Sequence, residues 1–209
     1  MISKNFDANK IKQAAKTLDA TITEYILAHI FYALAKRRDT AGEKGTIIGT
    51  IPIDCRSFFP SKTLRSFVAS AEITMPENTD FPQMIKQIKA EFQKITKHSV
   101  HKQLYEHQKM YNHIRFVPRK IKDLLMRIMT KWEADEISTG ISNLGLIKLP
   151  KEIESHIKHI EFPIALEQDF SNFFSCVTIG NTLTLTATFR EEGRDFVNEV
   201  INKLETSPL

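Results

Sequence analysis

Apolar residues recur at helical spacing near the start of the chain, where Ile11, Ala14, Ala15 and Leu18 predict a first helix. A second follows at once. Thr21 and Glu24 form a Thr-x-x-Glu capping box, in which each side chain satisfies an orphan backbone donor. From Ile22 to Ala35 nearly every face is apolar, so this helix is expected deep in the protein. Arg37, Arg38 and Gly42 end it. Thr46 to Ile53 reads as a strand through the β-branched Ile47, Ile48 and Ile51, with Pro52 marking the strand's end or a sheet edge. Phe67, Ala69, Ala71, Ile73 and Met75 alternate with Val68, Ser70, Glu72 and Thr74, which predicts a strand with one buried face.

Asp80 then caps a helix with Pro82 in its first turn and Gln83 three residues on, followed by the apolar stripe Phe81, Met84, Ile85, Ile88, Phe92 and Ile95. A His-rich segment from His98 to His113 is expected to be helical. Pro118 opens an amphipathic helix with Val117, Ile121, Leu124, Leu125, Ile128 and Trp132 on one face. The last third turns to strands: Glu136 to Asn143, a weaker candidate at Ile157 to Phe162, then Phe173 to Ile179 and Thr182 to Phe189. The last two flank Gly180-Asn181, which has the chemistry of a two-residue hairpin turn. A final helix carries Phe196, Val197, Val200, Ile201 and Leu204, and residues 206–209 are expected to fray. The order predicts an α+β fold, a mixed β-sheet packed against helices. No repeat, low-complexity tract or linker divides it, so 1–209 is read as a single domain.

Composition changes this picture in one place. Hydrophobic residues make up 42% and charged residues 26%, the balance of an ordinary globular domain. The two cysteines, Cys55 and Cys176, are too few for a disulfide framework or a metal site, and no apolar h-region opens the chain. Reduced, buried thiols in a cytoplasm are therefore expected. The net charge of +4 is uneven: Met84 to Lys131 holds twelve Lys and Arg against three Asp and Glu, and four of the seven histidines. The remainder of the chain is net acidic.

Three stretches resemble one family. Ala20 to Ala28 is similar to the buried helix that opens the second half of CoA-dependent acyltransferases. Ile51-Pro52-Ile53-Asp54-Cys55-Arg56, followed by the loop Phe58 to Phe67, resembles the alcohol-acetyltransferase form of a motif in which an arginine leads through a loop to a strand. Ile141-Ser142-Asn143-Leu144-Gly145 resembles the Ser-Asn-x-Gly element of the same superfamily, which also includes condensation domains and chloramphenicol acetyltransferase. The resemblance runs from about Ile11 to Leu204 and implies one subdomain, the C-terminal one, of a two-lobed fold. Ala69-Ser70 departs from it, standing where condensation domains usually carry Asn-Thr.

In that family two lobes enclose a tunnel, and a histidine in a His-His-x-x-x-Asp-Gly motif of the N-terminal lobe takes the proton from the acceptor. Such chemistry needs a near-neutral imidazole within hydrogen-bond reach of the nucleophile. The motif is absent from this sequence, and the nearest pattern, His156-Ile157-Lys158-His159, has no adjacent histidines and no Asp-Gly. The resemblance therefore implies no catalytic residue within these 209 residues, acyl-CoA as a co-substrate rather than a bound cofactor, and an N-terminal half or a second copy as partner.

Three residues are carried over as supports of an active site. Arg56 matches the family arginine that pairs with the aspartate of the histidine motif, a role suited to a guanidinium fork. Ser142 and Asn143 match the element near the tunnel, where an amide could donate to a developing oxyanion. The plainer reading makes Arg56 a surface residue and Asn143 a turn former before Gly145. His29 reads as a hydrogen-bonded core histidine. His98, His101, His107 and His113 read as solvated, since no pair has i,i+4 spacing for a metal. The basic segment reads as a solvated outer face whose apolar stripe packs on the sheet. Attraction of CoA phosphates, anionic lipid or, least favoured, nucleic acid are its other uses. Two further functions stay open at this point: a non-catalytic interaction module of the same fold, and a basic lipid- or nucleic-acid-binding module.

Overall fold

The computed structural model describes residues 1–42, 45–76, 79–154, 156–166 and 170–206. In chain order the elements are β1 (Ile2–Asp7), α1 (Ala8–Thr17), α2 (Ile22–Ala41), β2 (Ile47–Asp54), β3 (Val68–Met75), α3 (Phe81–Gln93), α4 (Lys97–Ile114), α5 (Arg119–Glu136), β4 (Thr139–Ile147), α6 (Lys151–Glu154), β5 (Asn172–Ile179), β6 (Thr182–Phe189) and α7 (Arg194–Thr206). Six strands form a mixed sheet in the order β1-β6-β5-β4-β2-β3, with parallel pairing only where β4 meets β2 and β5. This is the expected α+β class.

The helix ends follow from their caps. Thr21 and Glu24 close a reciprocal capping box at the start of α2, and Gly42 ends it in the left-handed region at φ 69°. Asp80 accepts from the Gln83 N–H at 2.8 Å, with Pro82 in the first turn of α3. Helix α2 is the centre of the core: Ile26, Leu27, Ile30 and Phe31 are fully buried, and α1, α3 and α7 pack with it against one face of the sheet. The ring of Phe31 lies over Gly49 of β2, where a Cβ would come within 2.6 Å of it.

Along β5 and β6 the opposite sheet face carries polar residues that are covered, whereas on β3 that face is exposed. Thr184, Thr186 and Ser175 are buried. Thr184 donates to Asn5 Oδ1 at 2.9 Å, Ser3 and Thr186 share a hydroxyl contact at 3.2 Å, and the Ser175 hydroxyl donates to the Phe162 carbonyl. Buried polar groups at such density are stable only when partnered, as these are.

Five expectations are corrected. The pattern of apolar positions does not predict strand β1. The weak candidate Ile157 to Phe162 is not a strand; its Phe162 carbonyl accepts from the Ser175 hydroxyl rather than from a strand backbone. Pro52 does not end the strand, since β2 continues to Asp54, but on the β4 side it stands at a locally free edge of β2. Its ladder to β4 involves only Gly49 and Thr50, so the N–H that proline lacks is not needed there. Thr206 is helical, its hydroxyl donating to the Asn202 carbonyl at 2.8 Å, while residues 207–209 lie outside the described residues. The apolar stripe of α5 does not pack on the sheet, since Ile121, Leu124, Leu125 and Ile128 are all exposed. The Trp132 side chain lies outside the described residues.

Both cysteines are buried and free. Burial pushes the Cys176 thiol up to about 12 and raises that of Cys55, so neither is a ready nucleophile.

Candidate active site

β2 ends in a single 3-10 turn, Cys55–Ser57, that begins the loop to β3. Asp54 starts this turn by accepting from the Arg56 backbone N–H at 3.1 Å. Arg56 then folds its guanidinium back over the loop. It donates to Asp54 Oδ1 at 3.0 Å, to the Thr63 carbonyl at 3.0 Å and to the Arg65 carbonyl at 2.7 Å. The Arg56 backbone N–H, together with its guanidinium, holds the Asp54 carboxyl below its usual value. One planar fork thus ties both ends of the loop; Leu64 within it is fully exposed. The loop's apolar residues Phe58, Phe59 and Phe67 gather with Cys55, Ala69 and Val100 of α4 in a small satellite core.

Arg56→Ala removes three donors at once and is expected to cost about 1–2 kcal/mol. Limited proteolysis should then cut within 57–66 earlier than in the parent protein. Arg56→Lys should not restore protection, because an ammonium cannot span three acceptors in one plane. Equal protease resistance in all three proteins would show that the fork does not hold the loop.

Beside this loop lies a cleft of about 360 Å³, with Thr23 of α2, Pro52, Ser57, Phe58 and Asn143 of β4 among its walls. Asn143 is pinned at both ends of its amide. Its Nδ2 donates to Thr23 Oγ1 at 2.9 Å, and its Oδ1 accepts from the Gly145 N–H at 2.7 Å. Gly145 takes φ 73°, and the β4–β5 register shifts between Asn143 and Leu146. The bulge turns the strand end while keeping the amide aimed across to α2. Ser142, one residue earlier, pairs with Ser175 and points to the other sheet face, as strand alternation requires. The structure therefore brings Asn143 and the Arg56 loop to one cleft and leaves Ser142 outside it.

Thr23, Ser57 and Phe58 were not singled out from the sequence. Their signal lay inside the stretches that carry the family resemblance, Ala20 to Ala28 and the residues after Arg56. What the cleft offers chemically is a neutral amide donor among apolar walls. None of its described lining residues is ionisable. It can hold and polarise a carbonyl, but a proton acceptor has to be brought to it.

A second cleft, about 450 Å³, lies among α1, α2, α3 and α7. His29 forms part of it, buried 4.6 Å from the ring centroids of both Tyr25 and Phe81. Burial, with the Lys203 charge as a lesser cause, takes its imidazole down to about 4. At neutral pH this ring is uncharged. Among the described residues, no three His, Cys, Asp or Glu converge as metal ligands.

A family model described as alcohol acetyltransferase matches residues 2–195. No curated protein matches the chain by sequence. Solved structures match it through the fold. A condensation domain that mediates chain release from the enacyloxin polyketide synthase has 14% identity and a TM-score of 0.56, over 99% of this chain and 41% of that one. The wax ester synthase/diacylglycerol acyltransferase from Marinobacter aquaeolei has 9% identity and a TM-score of 0.58, over 97% and 46%. A trichothecene 15-O-acetyltransferase from Fusarium sporotrichioides has 11% identity and a TM-score of 0.59, over 98% and 46%. The chain thus spans less than half the length of each of these three.

Proposed function

This chain belongs to the alcohol acetyltransferase family, and from that premise we propose that it is the C-terminal lobe of a CoA-dependent O-acyltransferase whose catalytic base comes from a separate, N-terminal lobe. One observation carries the reading: a cleft at the family's motif positions presents the Asn143 amide and the Arg56 loop, and no described residue lining it can take up a proton. In this reading the acceptor alcohol and the acyl thioester meet at the cleft. The acceptor oxygen forms the new ester bond to the acyl carbon, the C–S bond breaks, and the proton passes through the base to the departing CoA thiolate. Asn143 stabilises the developing oxyanion with its amide N–H. Arg56 shapes the loop until an aspartate of the other lobe competes with Asp54 for its fork. Leu144 and Leu146, exposed beside Asn143 on β4, are surface that such a lobe would cover.

The same exposed leucines also suit the second reading, a non-catalytic interaction module. The two separate on one measurement. Reading the DNA upstream of the Met1 codon tests for an in-frame His-His-x-x-x-Asp-Gly segment. Joined to that lobe, the protein should release thiol from acetyl-CoA in the presence of a primary alcohol, and this chain alone should not. Asn143→Ala in the joined protein should lower kcat by about 10²-fold or more. A stop codon directly upstream with no such motif, or a joined protein that is folded and inert, would leave the interaction module as the better reading.

A further inference from the structure

Helix α5 is built the wrong way round for a core helix. α3 and α7 turn their apolar stripes inward, burying Met84, Ile85 and Ile88 in one and Phe196, Val197 and Val200 in the other. α5 turns its stripe outward: Ile121 is 52% exposed, Leu124 59%, Leu125 44% and Ile128 43%. Among the described side chains of the helix, Lys122, at the border of the stripe, and Met126, behind it, are partly covered. The turn leading into α5 adds Phe116, 89% exposed.

Charge says what this face would meet. Lys97 to Lys131 holds nine Lys and Arg against two carboxylates, Glu106 and Asp123, and Asp123 lies within 3.9 Å of Arg119 on its own helix. In helical projection Lys120 and Lys122 fall on opposite sides of the stripe, each about 100° from its centre. Basic side chains bordering an apolar stripe can reach phosphate headgroups while the aliphatic groups enter the acyl boundary. A second copy of this face would bring two strongly basic segments together. Nucleic acid would meet four aliphatic side chains where it needs charge. An anionic lipid surface satisfies both the stripe and its borders. No helix among the described residues is long and apolar enough to cross a membrane, so the contact lies in the interface plane.

We propose that α5 docks the protein on anionic lipid, with Ile121, Leu124, Leu125 and Ile128 at the acyl boundary and Lys120 and Lys122 on headgroup phosphates. This goes beyond the acyltransferase reading and does not depend on it. The test is co-sedimentation with vesicles of mixed phosphatidylserine and phosphatidylcholine, against phosphatidylcholine alone, at low and high salt. Binding should be about tenfold or more stronger to the mixed vesicles and should weaken with salt. The double variant Leu124→Gln, Ile128→Gln alters two outward-facing side chains and should keep its melting temperature while losing about tenfold or more of the binding. Lys120→Glu should lose binding to the mixed vesicles only. Equal binding to both vesicle types, or binding untouched by the folded double variant, overturns the proposal. So does tighter binding to a short RNA or DNA duplex than to vesicles, or a dimer that the double variant dissolves.

Discussion

Phe31→Ala should lower the unfolding free energy by about 3–5 kcal/mol, measured by urea denaturation. Phe31 is fully buried near the centre of α2, where the helix crosses the sheet. Its ring fills the space above Gly49, a β2 position with no side chain of its own. Truncation therefore opens a void between two layers that cannot close without moving the helix. The converse change is informative. Gly49→Ala places a methyl 2.6 Å from the Phe31 ring and should cost about 1–3 kcal/mol by overpacking. In a Phe31→Leu background the same substitution should cost less, because the branched side chain leaves room. Additive losses in the double-mutant cycle would show that helix and strand do not meet at this point.

The second large effect is on pH dependence. His29 is held neutral, its folded value near 4 against 6.5 for a free imidazole. Protonation therefore favours the unfolded chain, with a stabilisation on the order of 3 kcal/mol at stake. That stability is fully present above pH 6.5 and is lost as pH falls from 6.5 towards 4. Tyr25, Tyr32, Phe81 and Lys203 of α7 share the cleft of His29. Asp7, Asp54 and Glu191 are also held below their usual values by hydrogen bonds, and that stabilisation is lost as pH falls through the carboxylate range, so a variant at position 29 is needed to isolate the histidine. His29→Gln should flatten the decline in urea midpoint between about pH 6.5 and pH 4.5. An unchanged slope in that variant would place the acid sensitivity elsewhere.

Much of the fold was written in local signals. The capping box at Thr21, the Asp80–Pro82–Gln83 helix start and the alternation from Ala69 to Met75 each lie within one element, and each is found where the pattern put it. Gly180-Asn181 turns β5 into β6 with positive φ at Gly180. What failed was information held by distant partners. Ser3, Lys4 and Asn5 look like a polar coil, yet they form a strand because β6 offers its free edge. Ile157 to Phe162 has the composition of a strand, yet its Phe162 carbonyl goes to the Ser175 side chain instead of a ladder. The periodicity of α5 gave its helix and its apolar face correctly and said nothing about what that face touches. At the candidate site, the family resemblance pointed to Arg56 and Asn143, and alternation alone could have warned that Ser142 and Asn143 face opposite ways. The contact of Asn143 with Thr23, 120 positions apart, could come only from the fold.

β1 pairs with β6 from Ile2–Ala187 to Asp7–Thr182, and Lys4 meets Glu205 of α7 at 2.6 Å. During translation β1 therefore waits for β6, whose Thr184 lies 179 positions beyond Asn5, before its hydrogen-bonding groups find a mate. A nascent chain stalled before β6 would carry an unsatisfied ribbon at one end and a half-open sheet at the other, the kind of species that chaperones bind and that clumps when they are scarce.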